Sequence, residues 1–367
     1  MLQHHLEREI PARDLILIFM ATLTETAFYT RKYIKWGAVG LILFLVLRIA
    51  FNSFLSYLNV LFPPQVIPDN AFGRLSAISF PQSASPSAQL NYSLRTISGT
   101  LSEASNSATV YFMPKNRATL LSLSETQALV ERIDFTTSPR QITSTAYRWV
   151  DITNPLRTIE LDIVSKQFTL NYLFAHDLTL FTERNIPTPK QAQAETLDFL
   201  QSLNLPTGDI VVSQPKIQYL KLVGNQLQPA TSESQADAVR VDYFRQNYHG
   251  MPARTDKPQE GNIAFILSGA GGQKRVLYAK YHYWPIDTRV SGIYKLKTPE
   301  QAFTELQNGH AYFASLPNNE TRIAITNSYL AYYDGMIPQL FYQPVFVFEG
   351  DQGFIAYVPA VAPPWTE

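Results

Sequence analysis

Apolar and polar positions follow two regimes along this chain. From Trp36 to Phe62 the sequence is almost wholly apolar, broken by one charge, Arg48, and followed by Pro63-Pro64. Beyond Pro64, apolar positions alternate or recur at helical spacing, as in packed domains. At 1.5 Å rise per residue, roughly two dozen residues exceed the ~30 Å hydrocarbon core of a bilayer, so the first regime predicts a transmembrane helix over 36–62. A central Arg costs ~2.5–3.5 kcal/mol, while each Leu, Ile, Phe or Val returns ~0.3–0.6. About sixteen such residues between Val39 and Phe62 sum to roughly 7 kcal/mol, so insertion wins. A cleaved signal peptide would carry an apolar core of only ~7–15 residues ending in a small-residue site, and Phe62-Pro63-Pro64-Gln65 is not one.

The flanks orient the span. Arg31, Lys32 and Lys35 precede it, whereas Asp69 and Arg74 are the first charges after it. The positive-inside rule then makes residues 1–35 a short cytoplasmic tail and the rest extracytoplasmic. Met20 is a second plausible start, with residues 1–19 outside the natural chain. Arg48 has two readings: a partner contact within the membrane, or a side chain snorkelling to the interface of a tilted helix.

In the second regime, a Ser/Pro/Ala-rich stretch at Gln82–Ala88 marks 63–105 as a stalk or linker. Three helix starts share one formula, Ser/Thr three residues before Gln: Ser124 with Gln127, Thr188 with Gln191, Thr298 with Gln301. Each reads as a capping box, two of them with Pro at the first helical position. The third helix is expected to end at Gly309. Alternating runs predict strands at Ala108–Met113, Tyr147–Ile152, Thr158–Ile163, Phe168–Phe174, Val239–Arg245, Asn262–Leu267, Arg275–Trp284, Pro344–Glu349 and Phe354–Val358. Gly-bearing turns at Ser268–Gly272 and Gly350–Gly353 make the flanking strands antiparallel hairpins. The expected class is α+β, with one N-terminal transmembrane helix followed by units of a helix on a curled antiparallel sheet. The expected domains are 106–186 and 187–363, the second read either as one unit or as two repeats led by Thr188 and Thr298.

Composition narrows the function classes. Charged residues make up 16% with a net charge of +0, which gives no footprint for nucleic acid. The chain has no cysteine, which excludes disulfide support, thiol catalysis and zinc–thiolate sites. Aromatics reach 13%, with 20 Tyr and 22 Phe, in keeping with sheet-rich domains.

Within 188–360, the stretches Ile293–Leu306, Tyr329–Asp334 and Phe341–Glu349 resemble the YycH/YycI regulatory proteins, whose outer units are PepSY-like. The layout of short tail, single span and outer α+β part is similar too. The resemblance implies a non-enzymatic membrane protein that modulates a partner such as a sensor kinase. A longer stalk and an extra aromatic-rich repeat depart from that pattern, so the particular partner does not carry over.

Candidate chemistry is sparse. His282 lies among Tyr281, Tyr283 and Trp284 with Asp287 nearby, but no Ser nucleophile accompanies it. His176-Asp177, His310 and Asp334–Pro338 read as turns. Ser268–Gly272 lacks the Lys-Ser/Thr and helix of a phosphate loop. No cofactor or metal is expected, and Asn91 and Asn319 open glycosylation sequons. The tyrosine-rich run Tyr329, Tyr332, Tyr333 with Tyr342 is either core or an exposed partner surface. Arg48 and these four tyrosines are the candidate contacts. The partners expected are the bilayer and a membrane or envelope protein, with oligomeric state open. The alternative is a membrane-anchored envelope enzyme, or a peptide-, peptidoglycan-binding or protease-inhibitory module.

Overall fold

The computed structural model describes residues 12–61, 67–82, 90–177, 179–182, 185–317 and 321–366. Two compact units result, Met1–Val66 and Ile67–Glu367. The second start at Met20 concerns residues 1–11 as well, and those, with Pro63-Pro64, most of the Ser/Pro/Ala-rich stretch and the Asn319 sequon, lie outside the described residues.

The first unit is a single helix, α1 (Ala12–Leu61). It begins well before Trp36, because no Pro or Gly interrupts residues 13–36. Its segment Ala27–Leu58 is long and apolar enough to cross a membrane, with mean hydropathy 2.2 over its most apolar window. Trp36, Leu41, Ile42, Phe44 and Ile49 point around the axis at about 100° per residue. All five are 60–67% exposed. A helix lying on the surface of a globular domain would confine such side chains to one covered stripe.

The second unit is mixed α+β. Its first half runs β1 (Asn91–Leu94), β2 (Ser107–Phe112), α2 (Ser122–Glu131), β3 (Arg140–Gln141), β4 (Ala146–Val150), β5 (Arg157–Asp162), β6 (Phe168–Tyr172), α3 (Pro189–Ser202), β7 (Lys216–Val223), β8 (Gln226–Pro229) and β9 (Ala238–Tyr243). Then follow β10 (Ala253–Arg254), β11 (Ile263–Ser268), β12 (Val276–Tyr281), β13 (Asp287–Lys295), α4 (Pro299–Gln307), β14 (Tyr312–Ser315), β15 (Arg322–Tyr333), β16 (Phe341–Tyr342), β17 (Pro344–Gly350) and β18 (Ile355–Pro359).

Two lobes emerge. In the first, an antiparallel sheet has the order β3-β4-β5-β6-β12-β11-β9-β7-β8. Alternate residues of its strands, among them Trp149, Ile159, Leu161, Val239, Val241 and Phe265, form one core with Val130 of α2 and Leu200 of α3. The two helices therefore share one face, as period-2 alternation requires. In the second lobe, a sheet of order β1-β15-β17-β18-β14, with β10 also paired to β15, accompanies a small sheet β13-β2-β16. Ala302 and Leu306 of α4 pack with Phe346, Phe348 and Val358 of the larger sheet and Val110 of the smaller.

Three expectations change. The boundary at 186/187 cuts the first lobe's sheet, where β6 pairs with β12 through Phe168 and Tyr281. A capping box announces a helix, not a domain, and α3 returns to the sheet already begun. The described parts of the 63–105 stalk belong to the second lobe. Asp69 accepts the Ile293 amide at 2.7 Å, the Tyr294 hydroxyl bonds Phe72 and Gly73, Leu75 is fully buried, and β1 pairs parallel with β15. Its apolar anchors are too widely spaced to register as periodicity. The Ser124 box does not form: α2 starts at Ser122 after Leu121, and no side chain caps it. Gln127 is instead taken by Trp149, whose indole donates to it at 2.7 Å. The boxes at Thr188 and Thr298 are both complete, and Gly309 follows α4 at φ 78°.

Candidate functional site

The chain crosses between lobes after β2, around β10 and after β12, and the crossings leave charged side chains in the seam. Arg245, two residues past β9, is fully buried there. Its Nε donates to Asp334 Oδ2 at 2.7 Å, its Nη1 to Asp209 Oδ2 at 2.9 Å and its Nη2 to the Trp284 carbonyl at 2.7 Å. The guanidinium also lies over the Tyr283 and Tyr342 rings, 5.1 and 5.6 Å from their centroids. Burial alone would lower its pKa, but Asp334, with help from Tyr342 and Asp209, holds it above the ordinary value and charged.

Asp334 follows directly from β15 and belongs to the second lobe, whereas Arg245 leaves the first. Asn262, just ahead of β11, donates to Asp334 Oδ2 at 2.7 Å. Tyr248 donates its hydroxyl to Asp209. Five buried polar atoms around this cluster have no hydrogen-bond partner among the described residues: Asp209 Oδ1, Asn262 Oδ1, Trp284 Nε1, Asp334 Oδ1 and Tyr342 Oη. Such atoms gather where buried water or a ligand's polar group completes the bonding.

His282 sits on the same seam, its Nε2 3.0 Å from the Gly335 carbonyl and its ring edge-on to Trp284. Burial pushes its pKa down, with Asp334 and the Gly335 carbonyl opposing. A Cβ on Gly335 would fall 2.3–2.5 Å from the Tyr333 ring and hydroxyl, so glycine permits this close approach. The cavity beside His282 measures about 10 Å³, lined also by Asp256, Lys280 and Asp334. That is room for about one water and none for a substrate. Asp287 pairs with Arg289 instead of His282. His176-Asp177 closes a turn, with Asp177 bound to Lys274 at 2.7 Å and Tyr172 at 2.6 Å. Among the described residues no group of three or more His, Cys, Asp and Glu could hold a metal.

The accessible part of the seam is a cleft of about 360 Å³. Lys115 and Asn116 of the first crossing face Thr145, Asp162 and Ser165 of the first lobe, with Tyr283, Trp284 and Met336 between. Asp162 is fully engaged, accepting from Thr145 at 2.6 Å and from the Val164 and Ser165 amides at 3.0 and 2.7 Å. Burial would raise its pKa, and these bonds outweigh it and hold it low. Half-exposed aromatics beside committed polar groups suit binding more than proton transfer.

The tyrosines singled out in sequence divide sharply. Alternation holds along β15, with Tyr329, Ala331 and Tyr333 in one cluster and Tyr332 in another, but both faces are covered. Tyr332 and Tyr342 stack at 4.7 Å in the core, and Tyr333 donates to Asp256. All three are at most 1% exposed, so none can meet a partner directly. Tyr329 is part-buried, donating to Glu349 at 2.6 Å and accepting from Arg254 at 2.7 Å. Arg48 lies within the apolar helix of the first unit. Sequence reading missed Arg245, Asp209 and Asn262 and read Asp334 as a turn residue. Arg245 and Asp334 are 89 residues apart, so no local spacing links them; the one local cue is a strand, Val239–Tyr243, that runs on to a charge.

No family model matches the chain, and no curated protein matches it. Solved structures similar to it include an uncharacterized protein from Eubacterium rectale ATCC 33656, with TM-score 0.38 and 11% sequence identity over 74% of this chain and 87% of that one.

Proposed function

We propose that this chain is a single-pass membrane protein, N-terminus cytoplasmic, whose extracytoplasmic α+β unit binds and regulates or scaffolds another envelope protein. The observation that carries this reading is the helix Ala27–Leu58, which presents large apolar side chains on every side. Lipid, or another membrane helix, would cover such a surface. Arg31, Lys32 and Lys35 on its N-terminal side support the orientation. A folded unit whose buried His282 has no substrate space, and whose open cleft sets Tyr283 and Trp284 beside polar groups already hydrogen-bonded, supports binding over turnover. The resemblance of 188–360 to YycH/YycI regulators points the same way, a sensor kinase being the kind of partner it implies.

Crosslinking in native membranes, followed by affinity capture and mass spectrometry, tests the reading. A stoichiometric membrane protein recovered with the chain supports it, and recovery of the chain alone refutes it. Protease accessibility in intact and permeabilised cells tests the orientation. Arg48→Leu should leave membrane insertion intact and weaken the capture; unchanged capture assigns Arg48 to snorkelling.

A further inference from the structure

Residues 76–81 run extended across the larger sheet of the second lobe, with Ala77 and Ser79 exposed and Ser76, Ile78 and Phe80 turned partly inward. Their main chain is held by two buried glutamine side chains. Gln339 accepts from the Ser79 amide at 3.0 Å and donates to the Ser79 carbonyl at 2.7 Å. Gln343 donates to the Ser76 carbonyl at 2.9 Å. Gln339 is 6% exposed and Gln343 3%. Phe80 stacks on Tyr312 at 4.9 Å with planes 5° apart, and lies 4.7 Å from Tyr333. Ile78 and Phe80 pack on the cluster of Tyr312, Tyr333, Val347 and Tyr357.

This arrangement reads a peptide in two ways. Side-chain amides take one residue's N–H and C=O together, as a neighbouring strand would, whatever its side chain. The aromatic slot then selects the following residue. The strap does not fill its surroundings: a cavity of about 420 Å³ lies alongside, bounded by Ile78 and Phe80 on one side and by Lys297, His310, Tyr312 and Gln343 on the other. An incoming segment can therefore make contact before the strap departs.

We propose that the Gln339–Gln343 groove is a docking site for an extended segment of the partner protein carrying a small residue followed by an aromatic one. Residues 76–81 occupy it as an intrachain competitor. The groove's role rests on the partner-binding function proposed for the whole chain, and it names the chemistry of the partner.

The test uses the full-length protein in detergent and a fluorescein-labelled peptide with the sequence of residues 74–82, followed by anisotropy. Ile78→Gly/Phe80→Gly protein should bind the peptide at least about ten-fold tighter than wild type, because the tethered copy no longer competes. Phe→Ala in the peptide, or Gln339→Ala in the protein, should remove the gain. A variant with unchanged circular dichroism and no gain overturns the proposal. Hydrogen exchange on the wild-type protein tests the groove independently of any variant. The Ser79 amide, bonded to Gln339, should exchange by local opening at least about 100-fold faster than the amides of β17; exchange at the β17 rate overturns the proposal. If the peptide arm fails while membrane crosslinking still recovers a partner, the groove alone is refuted. Failure of both removes the partner-binding function as well.

Discussion

Replacing Arg245 by Met should destabilise the second unit by about 3–5 kcal/mol, the cost of leaving a buried ion pair half-made. Both Arg245 and Asp334 side chains are 0% exposed, so the orphaned Asp334 carboxylate would stay largely out of bulk water. Asp209 is 12% exposed and keeps its bond from Tyr248, so it contributes less of the loss. At about 2.1 cal/mol/K per residue, a unit of about 300 residues unfolds with an entropy of roughly 0.6 kcal/mol/K. The expected fall in Tm is then about 5–8 °C. Near-ultraviolet circular dichroism of the full chain in detergent reports it, since Tyr283, Trp284 and Tyr342 surround the guanidinium. Adding Asp334→Asn removes the stranded charge while leaving a hydrogen-bonding partner for Asn262. The double variant should therefore recover at least half of the loss, a coupling visible in a double-mutant cycle. Melting of Arg245→Met within about 1 °C of wild type, or simple additivity in the cycle, would refute the role given to this pair.

The capping boxes make a contrasting set. Thr188→Ala and Thr298→Ala should each cost about 1 kcal/mol by urea midpoint. Ser124→Ala should fall within about 0.5 kcal/mol of wild type, because its hydroxyl only returns to the Leu121 carbonyl. His282, pushed below its ordinary value by burial, is neutral when folded while the unfolded chain takes up a proton below about pH 6.5. Its contribution is thus present at neutral pH and lost as pH falls toward the folded value. Between pH 7.5 and 5, wild type should lose more stability than His282→Asn, and equal losses would contradict its burial. Burial raises the pKa of Tyr332, Tyr333, Tyr342 and Tyr357, so they stabilise the neutral fold below about pH 10 and oppose it as pH rises further. Absorbance at 295 nm should show a step for these four buried tyrosines that coincides with the loss of circular dichroism at alkaline pH; a step that precedes that loss would count against it.

Chain order alone carried the apolar helix, the α+β class, both Thr-led capping boxes and most strands of the second unit. These depend on neighbours within a few residues: the run of apolar side chains from Trp36, the hydroxyl of Thr298 three residues before Gln301, the alternation along Val239–Tyr243. Tertiary structure decided the rest. Whether Tyr332 faces solvent or core depends on Tyr111 of β2 and Tyr342 of β16 covering its face of β15, which period-2 alternation cannot report. Whether Gln127 caps a helix or holds Trp149 depended on a strand 22 residues away. The charged seam needed Arg245 and Asp334 brought together across 89 residues, and the strap at Ser79 needed Gln339 across 260. Local pattern sets what each segment can become because its causes are short-ranged; which polar side chains end up buried together is set by packing between distant segments, and only the folded chain contains that information.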